Sequence, residues 1–258
     1  MAHPYLSEIM SITPTAFEAW KRCPRLFLLG QLLGLPDSDP VPAPDRGKLV
    51  HELLRLVHER GSCRDRAQVE DMLASHGVAD DLHRTMFERH AARCPAGAER
   101  DAHECDLARF HRLPAPMFMA TARIDAIWVH DGILDARDYK TGQRWHDRVA
   151  DDPAAQVQAF VLAPHAQRRG LRLRLRYEYL APEVDDDPEP FEPDDDDLDA
   201  ITEHVHAAVR AMWEQTDWRG CGDATVCRTC RYRSICPDSA ARGEPQWPAL
   251  TLAPAGDQ

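Results

Sequence analysis

Lysine is nearly missing from this chain. Of its 31 basic residues only Lys21, Lys48 and Lys140 are lysines, so arginine carries almost all of the positive charge. An ammonium group is a compact point charge, whereas a guanidinium is a planar fork. Lys140, the one lysine set among aspartates, therefore marks a place where a point charge is wanted. Long apolar runs are lacking too. No stretch approaches the roughly 20 residues that span a bilayer, and the first residues carry no signal-peptide pattern. The expectation is a cytoplasmic protein with no membrane partner. Disulfides are rare in that compartment, so the eight cysteines are read as free thiols or metal ligands. There is no internal repeat, and 258 residues at 43% hydrophobic suffice for one good core.

Bases vanish altogether between Glu183 and Asp199, a segment with eleven acids. Removing those eleven from the net charge of −12 leaves −1, so the surplus is local. This proline-interrupted segment reads as a solvated, mobile loop that could dock a basic partner or mimic nucleic acid. Just before it, Leu171 to Tyr179 alternates strictly, a strand with Arg172, Arg174 and Arg176 on one face and apolar residues on the other. With Arg168 and Arg169 it forms the densest basic patch, either a solvated face or a groove that follows phosphates.

The segment with the most chemistry is Ile124-Asp125-Ala126 followed by Asp138-Tyr139-Lys140-Thr141-Gly142. Between them Asp131-Gly132 suits a two-residue hairpin turn, in which both central residues take positive φ. Opposed residues then have numbers summing to 263, so Asp125 faces Asp138 and Arg123 faces Lys140. Side chains alternate along a strand, which puts Asp138 and Lys140 on one face and Tyr139 on the other. Two opposed carboxylates repel unless a cation or proton lies between them. A divalent metal is the natural occupant, and Lys140 beside it would hold an attacking water or developing negative charge.

Around this hairpin the pattern predicts helices. One starts at Thr13-Pro14, runs toward Trp20, breaks near Cys23-Pro24 and resumes from Leu26 to Leu33. Pro36 to Pro44 is a linker. A helix follows from about Gly47 to Glu59, then two more between Ala67 and Cys94, and a loop through Pro95 to Gly97. The hairpin fills about 117–141. Asp152-Pro153 caps a helix toward Arg168, the arginine strand follows, and Leu198 to Trp213 has helical spacing. Beyond Pro237 the tail reads as irregular. This order implies an α/β fold, a mixed central sheet flanked by helices, with the arginine strand parallel to the strand it joins.

Gly47 and His51 lie one helical turn apart, so Gly47 would permit close approach while His51 projects toward a site. Gln156 and Phe160 form a second pair at the same spacing. Each alone is weak, but their order with Asp125 and Asp138-Tyr139-Lys140 resembles the PD-(D/E)XK nuclease superfamily, in particular its RecB-like exonuclease branch. The resemblance implies a restriction-endonuclease-like core. It makes Asp125, Asp138, His51 and the Tyr139 carbonyl the ligands of Mg²⁺ or Mn²⁺, Lys140 the catalytic lysine, and Gln156 the motif glutamine. The family tyrosine is Phe160 here. Arg144 and Arg148, with Arg172, Arg174 and Arg176, would guide DNA.

Cys227, Cys230 and Cys236 cluster late in the chain, and Cys23 precedes Pro24 far upstream. The Cys-x2-Cys spacing fits zinc or iron–sulfur about equally. The split arrangement is similar to iron–sulfur nucleases of the AddB and CRISPR-adaptation types, and this implies a [4Fe–4S] cluster joining the N- and C-terminal segments. Cys221 is a spare that could replace Cys227. Cys63, Cys94 and Cys105 fit no ligand pattern and are read as packing residues. The resulting expectation is one nuclease domain over 1–258: an N-terminal segment 1–46, core 47–180, acidic loop 181–199, cluster segment 200–238 and tail 239–258. It would cut single-stranded DNA or duplex ends, beside a helicase in repair or an integrase in CRISPR adaptation. The alternatives are a non-catalytic DNA-binding or assembly subunit held by a cluster or zinc, and a zinc-stabilised module whose acidic loop binds a basic partner.

Overall fold

The computed structural model describes residues 9–39, 44–61, 63–78, 80–95, 99–112, 117–144 and 146–243. Residues 40–43 of the linker, most of the loop after Pro95, the tail beyond 243 and the side chain of Cys105 lie outside the described parts. The chain builds a mixed five-stranded sheet with helices around it. A short strand β1 (Ile9–Ile12) leads into α1 (Pro14–Arg22). The Thr13 side chain accepts the Ala16 N–H at 3.0 Å and Pro14 takes the first helical position, so α1 starts where the cap predicts. Cys23 is extended and breaks the helix, and α2 (Pro24–Phe27) continues into a π-helical turn. Helices α3 (Pro44–Arg60), α4 (Arg66–Ser75) and α5 (Asp81–Arg93) follow, the last two capped by Asp65 and Asp80.

Strands β2 (Glu99–Arg112), β3 (Met117–His130) and β4 (Ile133–Lys140) come next, then α6 (Pro153–Arg168), β5 (Arg172–Tyr179), α7 (Asp195–Glu214) and α8 (Ala224–Arg228). At the β3–β4 turn Asp131 has φ +51° and Gly132 φ +71°, as a two-residue turn with both centres left-handed requires. The ladder pairs Ala126 with Arg137, Ile127 with Ala136 and on to His130 with Ile133, each pair summing to 263. β5 joins β4 in parallel, Ile133 to Lys140 against Arg172 to Tyr179.

Two strands were not legible in the sequence. β2 pairs antiparallel with β3 along nearly its whole length, with a bulge at Arg100/Ala102, and β1 pairs parallel with Met117–Ala120. A strand has only two hydrogen-bonding edges. Because β2 covers one edge of β3, β1 and β4 must share the other, β1 near its start and β4 near its end. Between Ala120 and Ala126 that second edge is left open as a fork.

The core lies on both faces of this sheet. α6 buries ten of its residues because it touches β3 and β5 as well as α1 and α7. Phe160 stacks on Phe118 with centroids 5.9 Å apart. The acids of the acidic segment are mostly exposed, as expected, but the segment is tied to β5 and its last residues are helical. Phe191 exchanges both backbone hydrogen bonds with Leu175 of β5, at 2.8 and 2.9 Å. Asp194 and Asp197 form a reciprocal capping box at the start of α7, which begins three residues before Leu198. Acids in the first turn complement the positive end of the helix dipole.

Replacing Gly132 by valine puts a β-branched residue at φ +71° and is expected to cost about 1–2 kcal/mol. The check is the midpoint of urea unfolding, which should fall; an unchanged midpoint would contradict this turn geometry.

Candidate active site at the fork of β3 and β4

The fork carries the titratable groups. Asp125 is the last residue of β3 before the ladder with β4 begins, and its carboxylate takes over part of the pairing: Oδ2 accepts the Tyr139 N–H at 2.8 Å. Its other oxygen lies 3.0 Å from His51 Nδ1 on α3. Residue 47 of α3 is a glycine, and a Cβ there would sit a tight 3.2 Å from Thr141 Oγ1. Across the fork, Asp138 Oδ2 accepts from Lys140 Nζ and from Gln158 Nε2, each at 3.0 Å. Lys140 lies on the same face of β4 as Asp138, with its ammonium 4.3 Å from the Tyr177 ring centre. Tyr139 turns to the opposite face, between His58 and His90.

The electrostatics bind these groups into one site. Burial works against charge on His51, but the Asp125 hydrogen bond, with the charges of Asp125 and Asp138, raises its pKa overall, Lys140 opposing. Burial likewise disfavours the Lys140 ammonium, yet Asp138 above all, then Asp152 and Asp125, push its pKa up. These carboxylates favour the ammonium form of Lys140. Two carboxylates and an imidazole nitrogen at one fork make a donor set of the kind that hard divalent cations accept.

Not every expected residue belongs. Gln156 and Gln158 are two apart on α6, about 200° around the helix, so one alone can face the strands. Gln158 is the one, only 5% exposed. Gln156 bonds the Ala150 carbonyl at 3.4 Å and lines a surface cleft with Arg148, Glu189 and His204. A signal for Gln158 existed: it sits in the apolar run Val157 to Ala163, where a glutamine must find a partner. Phe160 is 1% exposed and covered by Phe118 and the Arg109 guanidinium, so it offers no surface for stacking a base. The arginine face is ion-paired to acids. Arg172 and Arg174 both pair with Glu192, at 3.4 and 2.7 Å, and Arg176 faces Asp135 at 3.6 Å. Arg148 pairs with Glu189, and Arg144 with Asp147 and the Asp186 carbonyl. The acidic segment docks on the basic strand, and each charge set answers the other.

The cysteines gather as well. Cys23, Cys227, Cys230 and Cys236 line one cavity together with Cys221, whose N–H donates to Cys23 Sγ at 3.4 Å. The segments around residues 25–35 and 232–238 are laced together beside it by Arg25–Asp238 at 3.1 Å and by the Tyr232 hydroxyl on the Leu35 carbonyl at 2.7 Å. Burial pushes the Cys230 and Cys236 thiols up.

The family model of the PD-(D/E)XK nuclease superfamily matches residues 11–237. The chain belongs to that superfamily. Two solved structures align with most of the chain. A candidate exonuclease from Eubacterium rectale is 11% identical over 88% of this chain and 92% of its own, with a TM-score of 0.49. The crystal structure of SSO0001 is 16% identical over 86% and 95%, with a TM-score of 0.36. No curated protein matches the chain. Among the described residues of this superfamily member, no helix is long and apolar enough to cross a membrane.

Because Gln158 holds Asp138 and Gln156 does not, Gln158→Leu should lower nuclease activity roughly 10–100-fold, the usual effect of losing a partner that orients a metal ligand. Gln156→Leu should change it little. Equal losses in the two variants, or a loss in Gln156→Leu alone, measured on one DNA substrate with Mn²⁺, would overturn the assignment.

Proposed function

We propose that this chain is a metal-dependent DNA nuclease, an exonuclease acting at single strands or duplex ends. The observation that carries the reading is the convergence of His51, Asp125, Asp138 and Lys140 at the fork. His51, Asp125 and Asp138, with the Tyr139 carbonyl, would hold Mg²⁺ or Mn²⁺. When bound, such an ion lowers the pKa of a coordinated water and neutralises charge on the scissile phosphate. The chain's own residues prepare the rest. Gln158 and Lys140 fix the Asp138 carboxylate, the Tyr139 N–H fixes Asp125, and the Lys140 ammonium meets negative charge developing on the phosphate.

The proposal includes a [4Fe–4S] cluster on Cys23, Cys227, Cys230 and Cys236. The donor set suits it: among the described residues the cavity offers five thiols and no carboxylate or imidazole. Its wall also holds buried Arg25 Nε and Arg233 Nε and Nη1 without hydrogen-bond partners, donors that an anionic cluster would satisfy. The cluster's role would be structural, joining the segments before and after the sheet. Work beside a helicase in repair, or beside an integrase in CRISPR adaptation, is proposed on the family resemblance alone.

Anaerobically purified protein should be brown and should cut end-labelled DNA only with Mg²⁺ or Mn²⁺ present. Asp138→Ala should abolish cleavage while leaving the colour, and Cys230→Ala should lose iron. DNA left uncut by wild type, as by Asp138→Ala, would support the non-catalytic assembly subunit instead.

A further inference from the structure

Two cysteines with no pattern in the sequence acquire one in three dimensions. His58 lies near the end of α3, Cys63 in the loop that follows, His90 in the last turn of α5, and Cys94 caps that helix. Each can offer one ligand atom such that all four atoms lie within 4.8 Å of one another. His58 and His90 are 0% and 1% exposed, and their Nε2 atoms are 3.0 Å apart. From Zn–N near 2.0 Å and Zn–S near 2.3 Å, tetrahedral coordination puts nitrogens about 3.3 Å and sulfurs about 3.8 Å apart. The two imidazole nitrogens are already near that spacing, and all four candidate atoms fall within 4.8 Å. Packing alone does not account for it, because apolar side chains would fill the same space without burying two imidazoles.

A second observation concerns the ring orientation. His90 Nδ1 lies 2.9 Å from Glu178 Oε1, and Glu178 is 0% exposed. Arg137 Nη1 holds the other Glu178 oxygen at 3.1 Å. A histidine that gives its Nδ1–H to a buried carboxylate turns Nε2 outward as a lone pair, the usual arrangement behind a metal-bound imidazole. Here Nε2 lies 3.0 Å from His58 Nε2, in the cluster that includes Cys63 and Cys94.

We propose that His58, Cys63, His90 and Cys94 form a structural zinc site, separate from the thiol cavity at the termini and from the carboxylates at the fork. Zinc would enter as Zn²⁺, and Cys63 and Cys94 would bind as thiolates, their protons passing to solvent. With all four positions filled by protein, no position is left open for a substrate. The site ties the ends of α3 and α5 to the sheet. Tyr139 packs against both histidines, with ring centres 5.9 Å from His58 and 5.1 Å from His90, and its backbone N–H holds Asp125. His51 lies two turns earlier on the same helix as His58. The ion therefore braces the element that carries His51 and the residue that positions Asp125.

The test is metal analysis of the full chain, purified anaerobically, as wild type, as Cys63→Ser/Cys94→Ser and as Cys227→Ser/Cys230→Ser. Wild type is expected to hold about one zinc per chain. The first variant should lose the zinc and keep the metal of the terminal cysteines; the second should keep the zinc. Zinc missing from wild type even after titration with zinc chloride overturns the proposal, as does zinc that persists in Cys63→Ser/Cys94→Ser. A disulfide between Cys63 and Cys94 in the native protein would overturn it too. Should the first variant fail to fold, zinc-edge X-ray absorption of wild type decides. A shell of two sulfurs and two nitrogens supports the site, and a shell of four sulfurs places the zinc at the termini and removes it from here.

Discussion

A β-strand has two hydrogen-bonding edges and no more, and the site depends on how β3 divides its second one. β2 covers the first edge almost end to end. β1 and β4 reach the other from opposite ends and leave a gap before Ala126. A backbone N–H that leaves a ladder still needs an acceptor. The Asp125 carboxylate supplies it for Tyr139, so the residue that closes the fork is also the one placed to take a cation. Asp138 and Lys140 follow on one face of β4 because alternation leaves them nowhere else.

Helix α3 turns that local geometry into a site. Its glycine at 47 lies against Thr141 just past β4, and one turn later His51 meets Asp125. Two turns further, His58 enters a buried polar network with His90, Glu178, Arg137 and Asp135. Such networks are stable only when each member has a partner, since a buried charge without one is costly. Tyr139 links the two regions, its backbone N–H toward Asp125 and its ring toward His58 and His90. The face of β4 that carries chemistry and the face that carries support thus share a single residue.

The charge distribution has a similar internal logic. An acidic chain is a poor partner for a polyanion, and the local reading of the acidic segment left its role open. In three dimensions Glu189 and Glu192 answer Arg148, Arg172 and Arg174, while Asp194 to Asp197 cap α7. Exposed ion pairs of this sort are weak. Together with the Phe191–Leu175 backbone bonds they still keep the segment on β5.

Much of this was legible in order along the chain. The Asp131-Gly132 turn, the register summing to 263, the split between Tyr139 and its neighbours, the start of α1 and the role of Gly47 all follow from periods and caps that act within a few residues. Strands β1 and β2 were not legible, because β2 (Glu99–Arg112) has little apolar alternation and becomes a strand by pairing with β3. Gln158 in place of Gln156 was decided by the rotation of α6 against the sheet, which no spacing encodes. The meeting of His58, Cys63, His90 and Cys94 was decided by how α3 and α5 pack. Local sequence determines which way a side chain points from its own strand or helix; only the packing of those elements determines what it points at.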